Sequence, residues 1–392
     1  MNAAAPRTTP LTLREYFAGA ASVSAPKGAP LTVGAGTRRG IAAPTEGVGN
    51  CQIVNPLATP AWDEWVMAWP AATVFHTSAW SAVLADTYAF QASGLMCPEQ
   101  SGRRALLPVM ECSSLITGRR GVVLPFSDHL APLAENDVES RALFEAAIAM
   151  GRARRWRSLE IRGDFEELGR ENASSTFWRH TLDLSPGEQT LFARFDGSVR
   201  QAIRKAARAG VEVRRESSWE AVAAFYGLHC QTRRSHGLPP QPIRFFQNIH
   251  RHLIARGAGW VFTAHHSGRP IAASLFLHTG RNALYKFGAS DREYLELRAN
   301  NAVMWEAIRH YVRQGFASLD LGRTSIGQEG LRRFKQGWAT VETMIAYRKY
   351  DLRRNGLVAG RDHSFAWHAA LFRHLPVPVL RWLGERLYPH LS

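Results

Sequence analysis

Cysteine, acidic residues and long apolar runs are all scarce in this sequence. Its four cysteines, Cys51, Cys97, Cys112 and Cys230, lie far apart with no C-x-x-C pair. Such spacing argues against a zinc or disulfide framework and predicts reduced thiols. No run of 18 or more apolar residues occurs, and the first residues lack the compact apolar stretch of a secretory signal. Neither a membrane-spanning helix nor export is expected, so the predicted location is cytoplasmic. Acids are outnumbered, 33 Asp and Glu against 48 Lys and Arg, leaving a formal net charge of +15. A field of that sign favours a polyanionic partner such as RNA, a nucleotide diphosphate or an anionic membrane face. No DNA partner and no metal site are expected.

What is present supports a folded chain. Hydrophobic residues make up 45% of its 392 positions and charged residues 21%, enough for a sizeable core and for two domains or one large one. Residues 1–48 are rich in Ala, Pro, Gly, Thr and Ser; too poor in large apolar groups to offset ordering entropy, they read as a disordered leader. In 61–69, Trp62, Trp65 and Trp69 share one helical face, a spacing that predicts core packing. Further helices are predicted over 78–89 and 138–152. Strands are predicted over 104–112, 122–126 and 158–162, with a basic turn at 118–121. The second half repeats the order. Helices are predicted over 219–234, 242–256 and 300–314, and strands over 260–265, 271–278, 283–288 and 318–321.

Two landmarks support a duplication. Gly102-Arg103 is answered by Gly268-Arg269, 166 residues on, and Ser158-Leu159-Glu160-Ile161 by Ser318-Leu319-Asp320-Leu321, 160 residues on. Repeated order at a nearly fixed offset is the mark of an internal repeat. Between the halves, 197–209 forms a basic helix. Arg200, Arg204 and Arg208 stand four apart, Lys205 lies beside them, and Val199, Ile203 and Ala207 take the inward ridge. A cationic ridge without interleaved acids suits phosphates, a solvated face being the alternative.

The ordered set of motifs resembles the Fem-like family. It includes Ser198-Val199-Arg200 through Arg204-Lys205-Ala206, Tyr285-Lys286-Phe287-Gly288, Asn300-Asn301 and Trp305-Glu306-Ala307-Ile308. Leu319-Asp320-Leu321-Gly322-Arg323 and Gly330-Leu331-Arg332-Arg333-Phe334-Lys335 complete the second half. Phe75-His76-Thr77-Ser78-Ala79-Trp80 and Leu124-Pro125-Phe126-Ser127-Asp128 fit from the first. The resemblance spans most of 60–350 and implies an α+β chain of two tandem GNAT-like domains, 49–190 and 191–352, followed by a helical tail over 353–392. Known members transfer an amino acid from aminoacyl-tRNA to a peptidoglycan precursor; others accompany exopolysaccharide and exosortase genes, the branch this sequence looks closer to.

By the same resemblance, Lys335 stabilises transition-state charge, Phe334 beside it belongs to substrate binding, Arg234 contacts a substrate diphosphate and Tyr285 lines the acceptor pocket. Asp128 lies near an acid considered as a base. Lys286, Asn300 and Asn301 fall in motifs assigned to substrate binding, together with Arg200, Arg204 and Lys205. One departure stands out. Fem enzymes acting on nucleotide-linked muropeptide carry a lysine after the first-domain tryptophan, whereas 81–90 here contains neither Lys nor Arg.

Aminoacyl transfer joins an amine to an activated ester and needs positioning and oxyanion stabilisation, not a covalent nucleophile. Cys230 and Ser290 have no evident base partner. Lys335 supplies fixed charge from a placed loop, and Asp320 either orients the amine or caps the next turn. An acyl-CoA-dependent N-acyltransferase is the alternative, disfavoured because 297–302 lacks the glycines that cradle pyrophosphate. A membrane-docked scaffold is the third reading. The tail carries Phe365, Trp367, Leu371, Phe372, Leu380, Trp382 and Leu383 beside Arg373, Arg381 and Arg386; it can lie among headgroups at the inner membrane face or pack on the protein body. Besides aminoacyl-tRNA or acyl-CoA as co-substrate, no cofactor is expected.

Overall fold

Two runs of the same elements follow each other along the chain. The first comprises β1 (Gln52–Val54), α1 (Trp62–Met67), α2 (Ser78–Tyr88), β2 (Gln91–Met96), β3 (Leu106–Ser114), β4 (Gly118–Val122), α3 (Asp137–Ala153), β5 (Ser158–Ile161) and β6 (Ser175–Asp183). Helices α4 (Glu188–Arg194) and α5 (Gly197–Arg208) lead into the second. That run holds β7 (Glu212–Glu216), α6 (Trp219–Ser235), α7 (Ile243–His252), β8 (Gly259–His266), β9 (Arg269–Thr279), β10 (Asn282–Ser290), α8 (Ala299–Arg313) and β11 (Ser318–Ser325). It closes with α9 (Glu329–Gln336) and β12 (Val341–Asp351), before β13 (Gly356–Leu357), α10 (Ala366–His374) and α11 (Val377–Leu387). The computed structural model describes residues 51–98, 102–114, 117–165, 168, 173–358 and 366–390. The leader predicted over 1–48 lies outside the described residues.

Local chemistry fixes the helix starts. The side chains of Thr77, Asn136 and Ser218 accept from the backbone amides of Trp80, Glu139 and Ala221, opening α2, α3 and α6. Each such cap satisfies an amide that the helix itself cannot. On α5 the buried ridge is Val199, Ile203 and Ala206. Ala207 is exposed, because the 3.6-residue period carries the third contact to i+7 and not to i+8.

The strand order reads the same from either end: β1-β2-β3-β4-β5-β12-β6-β11-β10-β9-β8-β7. Within each run three strands form an antiparallel meander, and a crossover helix returns the chain to a parallel partner, β4 beside β5 and β10 beside β11. The last strands are exchanged. β6 pairs with β11 of the second run, β12 pairs with β5 of the first, and β6 and β12 join antiparallel at the seam. Neither half can therefore complete its sheet without a strand from the other. Trp62 and Trp80 are fully buried in the first half, and Phe262, Phe276, Tyr311 and Trp338 in the second.

Further expectations are corrected, among them the strand expected over 122–126, which ends at Val122. Residues 118–122 are strand, not turn, because Gly121 must lie flat against Trp156; an added Cβ would meet that ring at 2.1 Å. Lys335 sits on helix α9, not on a loop. Cys51 and Cys97 are joined as a disulfide, not reduced, because the antiparallel register of β1 with β2 places the strand ends that carry them side by side. Reducing that bond is expected to lower unfolding free energy by about 2–4 kcal/mol. Urea denaturation with and without reductant checks this, with the Cys51→Ser variant insensitive to the reductant.

Candidate active site

β10 and β11 run parallel only over Asn282–Leu284 and Ser318–Asp320. Beyond that both strands carry irregularities. The register of β10 against β9 shifts between Tyr285 and Phe287, so Lys286 is the extra residue of a bulge. The register of β11 against β6 shifts between Asp320 and Arg323, where Gly322 has φ +70°, a conformation glycine adopts without the penalty of a Cβ. Bulges re-aim side chains, and these two aim a set of charges at a loop of the first half.

That loop is 124–129. Lys286 Nζ donates to Phe126 O at 2.7 Å and to Asp128 Oδ2 at 2.8 Å. Arg323 Nε lies 3.8 Å from Asp128 Oδ1. The Tyr347 hydroxyl of β12 donates to Asp128 O at 2.6 Å. A Cβ built on Gly322 would lie 3.6 Å from Asp128 Cγ and 3.6 Å from Tyr285 O. Asp128 thus fills the opening between the diverging strands.

Burial pushes the Asp128 carboxyl up, but Lys286 and Arg323 outweigh it and hold the group below the usual carboxylate range. A carboxylate held this way is a poor proton acceptor at neutral pH. Burial lowers Lys286 despite Asp128 beside it, with Arg323 and Arg162 adding repulsion.

Lys335 lies on the other side of the β11 bulge. Its ammonium is buried and donates to Gly322 O and Arg323 O, each at 2.9 Å. Burial lowers its pKa to about 8, opposed by Asp128 and Asp320. Two carbonyls use two of the three N–H bonds of the charged form, so one donor remains. Asp320 accepts from Gly322 N at 2.7 Å and from Arg179 Nε at 2.7 Å. Four cations, Arg179, Lys286, Arg323 and Lys335, therefore surround two carboxylates, a surplus of two positive charges when all are ionised. Such a cluster favours an anion or a developing oxyanion. Beside it lies a cavity of about 240 Å³ lined by His76, His129, Arg179, Leu284, Ser318 and Asp320, among others.

The structure brings together Lys335, Asp320, Asp128 and Lys286. Phe334 packs on Trp338, just past the end of α9. Tyr285 turns away, its ring on Phe276 and its hydroxyl bonded to Ser274. Arg200 is spent internally, donating to Ala193 O and Phe195 O. Arg204 is exposed over Phe192, and Lys205 pairs with Glu296 at 3.2 Å. Arg234 donates to Arg373 O in the tail. Asn300 donates to Ser290 Oγ, and Asn301 opens α8. Arg179 and His180 escaped the sequence reading because β6 was not recognised as a strand. His180 is fully buried, with Nε2 2.9 Å from Glu342, whose carboxylate takes two bonds from Arg332. Burial and Lys335 lower the pKa of His180.

Residues 193–336 match the family model described as an acetyltransferase (GNAT) domain. The crystal structure of FemX aligns with a TM-score of 0.61 at 14% identity, over 72% of this chain and 94% of that one. L-PGS from Bacillus licheniformis aligns at 0.48 and 12% identity, covering 82% and 97%. A tandem GNAT protein from the clavulanic acid biosynthesis pathway aligns at 0.45 and 12%, covering 77% and 98%. No curated protein matches the chain in sequence. The chain thus matches a GNAT acetyltransferase domain over its second half. Its fold, more particularly, is the duplicated GNAT fold of Fem-like proteins.

The buried Lys335 ammonium ties stability to pH. Because the folded state binds the Lys335 proton more weakly than the unfolded chain does, the burial penalty is fully present below about pH 8. It is relieved as pH rises toward 10.5, so this group contributes stability on the alkaline side. Urea unfolding at pH 7.5 and 9.5 is expected to show the wild type gaining on Lys335→Met across that interval. Any step that needs the ammonium declines over the same range.

Proposed function

We propose that the protein transfers an aminoacyl group from aminoacyl-tRNA to an amine of a cell-envelope precursor. The observation that carries this reading is Lys335. Its buried ammonium, fixed by two backbone carbonyls and left with one free donor, belongs to a cluster with surplus positive charge. The acceptor amine attacks the ester carbonyl, forming the C–N bond and a tetrahedral oxyanion, which collapses as the C–O bond to the ribose breaks. The amine's proton leaves with the ribose oxygen. Lys335 stabilises the oxyanion between these events, and Asp320 orients the amine from the edge of the adjoining cavity.

No covalent intermediate is invoked. Cys230 is buried, its thiol pushed up by burial beside Tyr226, and Ser290 Oγ is engaged by Asn300. The exposed Arg204, Lys205 and Arg208 of α5 meet donor phosphates. Lys286 and Asp128 hold the two halves in register around the site. A donor based on coenzyme A is the second reading, favoured by the GNAT domain itself. Against it stands the segment before α8, a 3-10 turn over Arg292–Leu297 followed by Arg298, with no glycine in it.

Binding of bulk aminoacyl-tRNA and of acetyl-CoA to the purified protein separates these donors. Two or three phosphate contacts would weaken tRNA binding by roughly tenfold to fortyfold between 50 and 200 mM salt. Lys335→Ala is expected to lower transfer about a hundredfold or more while leaving tRNA binding intact. Tight coenzyme A binding without tRNA binding would assign the donor to acyl-CoA instead.

A further inference from the structure

The two C-terminal helices divide their side chains between the protein body and solvent. The inner ridge is Leu380 and Gly384 on α11, continued by Tyr388 of the 3-10 turn that follows it. Leu380 is fully buried. Gly384 sits so close to the turn after α6 that an added Cβ would lie 2.0 Å from Pro240 O. The Tyr388 hydroxyl donates to Pro239 O and accepts from Arg233 Nη2 at 2.9 Å. Arg381 adds a clamp over the Tyr226 ring, 5.4 Å away. The helix is therefore fixed, and its outer face is presented rigidly.

That outer face is apolar and basic. Trp382 is 55% exposed and Val379 41%, and Leu371 of α10 is 57% exposed. Three of the ten large exposed hydrophobics among the described residues thus fall on these two helices. Around them stand Arg373, Arg381 and Arg386, all exposed, with Glu385 the one acid; three minus one leaves a local charge of +2. The Arg386 guanidinium lies 5.6 Å over the Trp382 ring. A large exposed indole is rare on a free surface, whereas indoles beside arginines whose stems reach along apolar surface suit the headgroup region of a bilayer. The overall charge of +15 reinforces the preference for an anionic surface.

We propose that the outer face of α10 and α11 docks the protein on an anionic lipid bilayer, with Trp382, Val379 and Leu371 entering the interface and Arg373 and Arg386 meeting lipid phosphates. Among the described residues no helix is long and apolar enough to cross a membrane, so the attachment is peripheral. It is independent of the donor used in catalysis.

Co-sedimentation of the full chain with vesicles tests this. Vesicles of phosphatidylglycerol and phosphatidylcholine are expected to pull the protein down, and vesicles of phosphatidylcholine alone are not. The Val379→Ser/Trp382→Ser variant should lose binding at least fivefold while keeping the wild-type melting temperature, since both side chains face solvent. An Arg204→Glu/Arg208→Glu variant on α5 should retain it. Failure of the wild type to sediment with anionic vesicles would overturn the proposal. So would full binding by the tail variant with loss in the α5 variant, which would move the contact to the basic helix. A dimer abolished by the tail substitutions in lipid-free buffer would make this face a contact between two copies, and would likewise refute lipid docking.

Discussion

The ammonium of Lys286 is the pivot of this molecule. It is carried on a bulge of the second half, its side chain 5% exposed, and it reaches the carbonyl of Phe126 and the carboxylate of Asp128 in the first half. A buried charge this far from water is tolerated only when paired and hydrogen-bonded. The pair in turn forces loop 124–129 into the opening between β10 and β11. The exchange of β6 and β12 supplies the frame for that contact, since each half borrows its final strand from the other. Stability and site geometry are consequently inseparable here: the interaction that closes the halves also shapes the pocket wall.

The charge arrangement follows from that closure. Asp128 and Asp320 are each tied to cations, and the surplus charge of the cluster is positive. A site of that sign favours an anion. Lys335 is held by backbone carbonyls instead of a carboxylate, which leaves its charge less neutralised than that of Lys286. Burial is the largest cause of the drop in its pKa, with Arg323 and Lys286 adding to it. The charge of the site is thus set by desolvation and by the cations around it.

Much of the architecture was legible in the sequence. The duplication showed in Ser158-Leu159-Glu160-Ile161 and Ser318-Leu319-Asp320-Leu321, which fall on the equivalent strands β5 and β11, each parallel to the strand before its crossover helix. Helices with clear caps and periodicity, such as α2 and α3, were found to within a residue or two. The exchanged strands were not. Alternation along β6 and β12 is the same whichever neighbour they pair with, and β6 mixes Trp178, Arg179 and His180 because each of its faces meets a different charged group. β2 was missed because small residues dominate it; Gly94 must admit the Trp62 ring, which an added Cβ would meet at 2.4 Å. With β2 unread, the disulfide could not be foreseen. At the site, Lys335 and Asp320 were legible through their motifs, and Arg323 lay within one of them. The bulge at Lys286 turns that side chain to Asp128 while Tyr285 packs on Phe276, and no side-chain pattern announces a bulge.

The central claim is that the Lys286 and Asp128 charges act as one buried unit. A double-mutant cycle on unfolding free energy, using Lys286→Met, Asp128→Asn and the pair, tests it directly. Each single change should cost about 3–5 kcal/mol by stranding its partner's charge. The double variant should cost clearly less than the sum, with a coupling of at least about 1 kcal/mol. Additive costs would show that the two groups do not depend on each other, and would contradict the account of how the halves are held around the site.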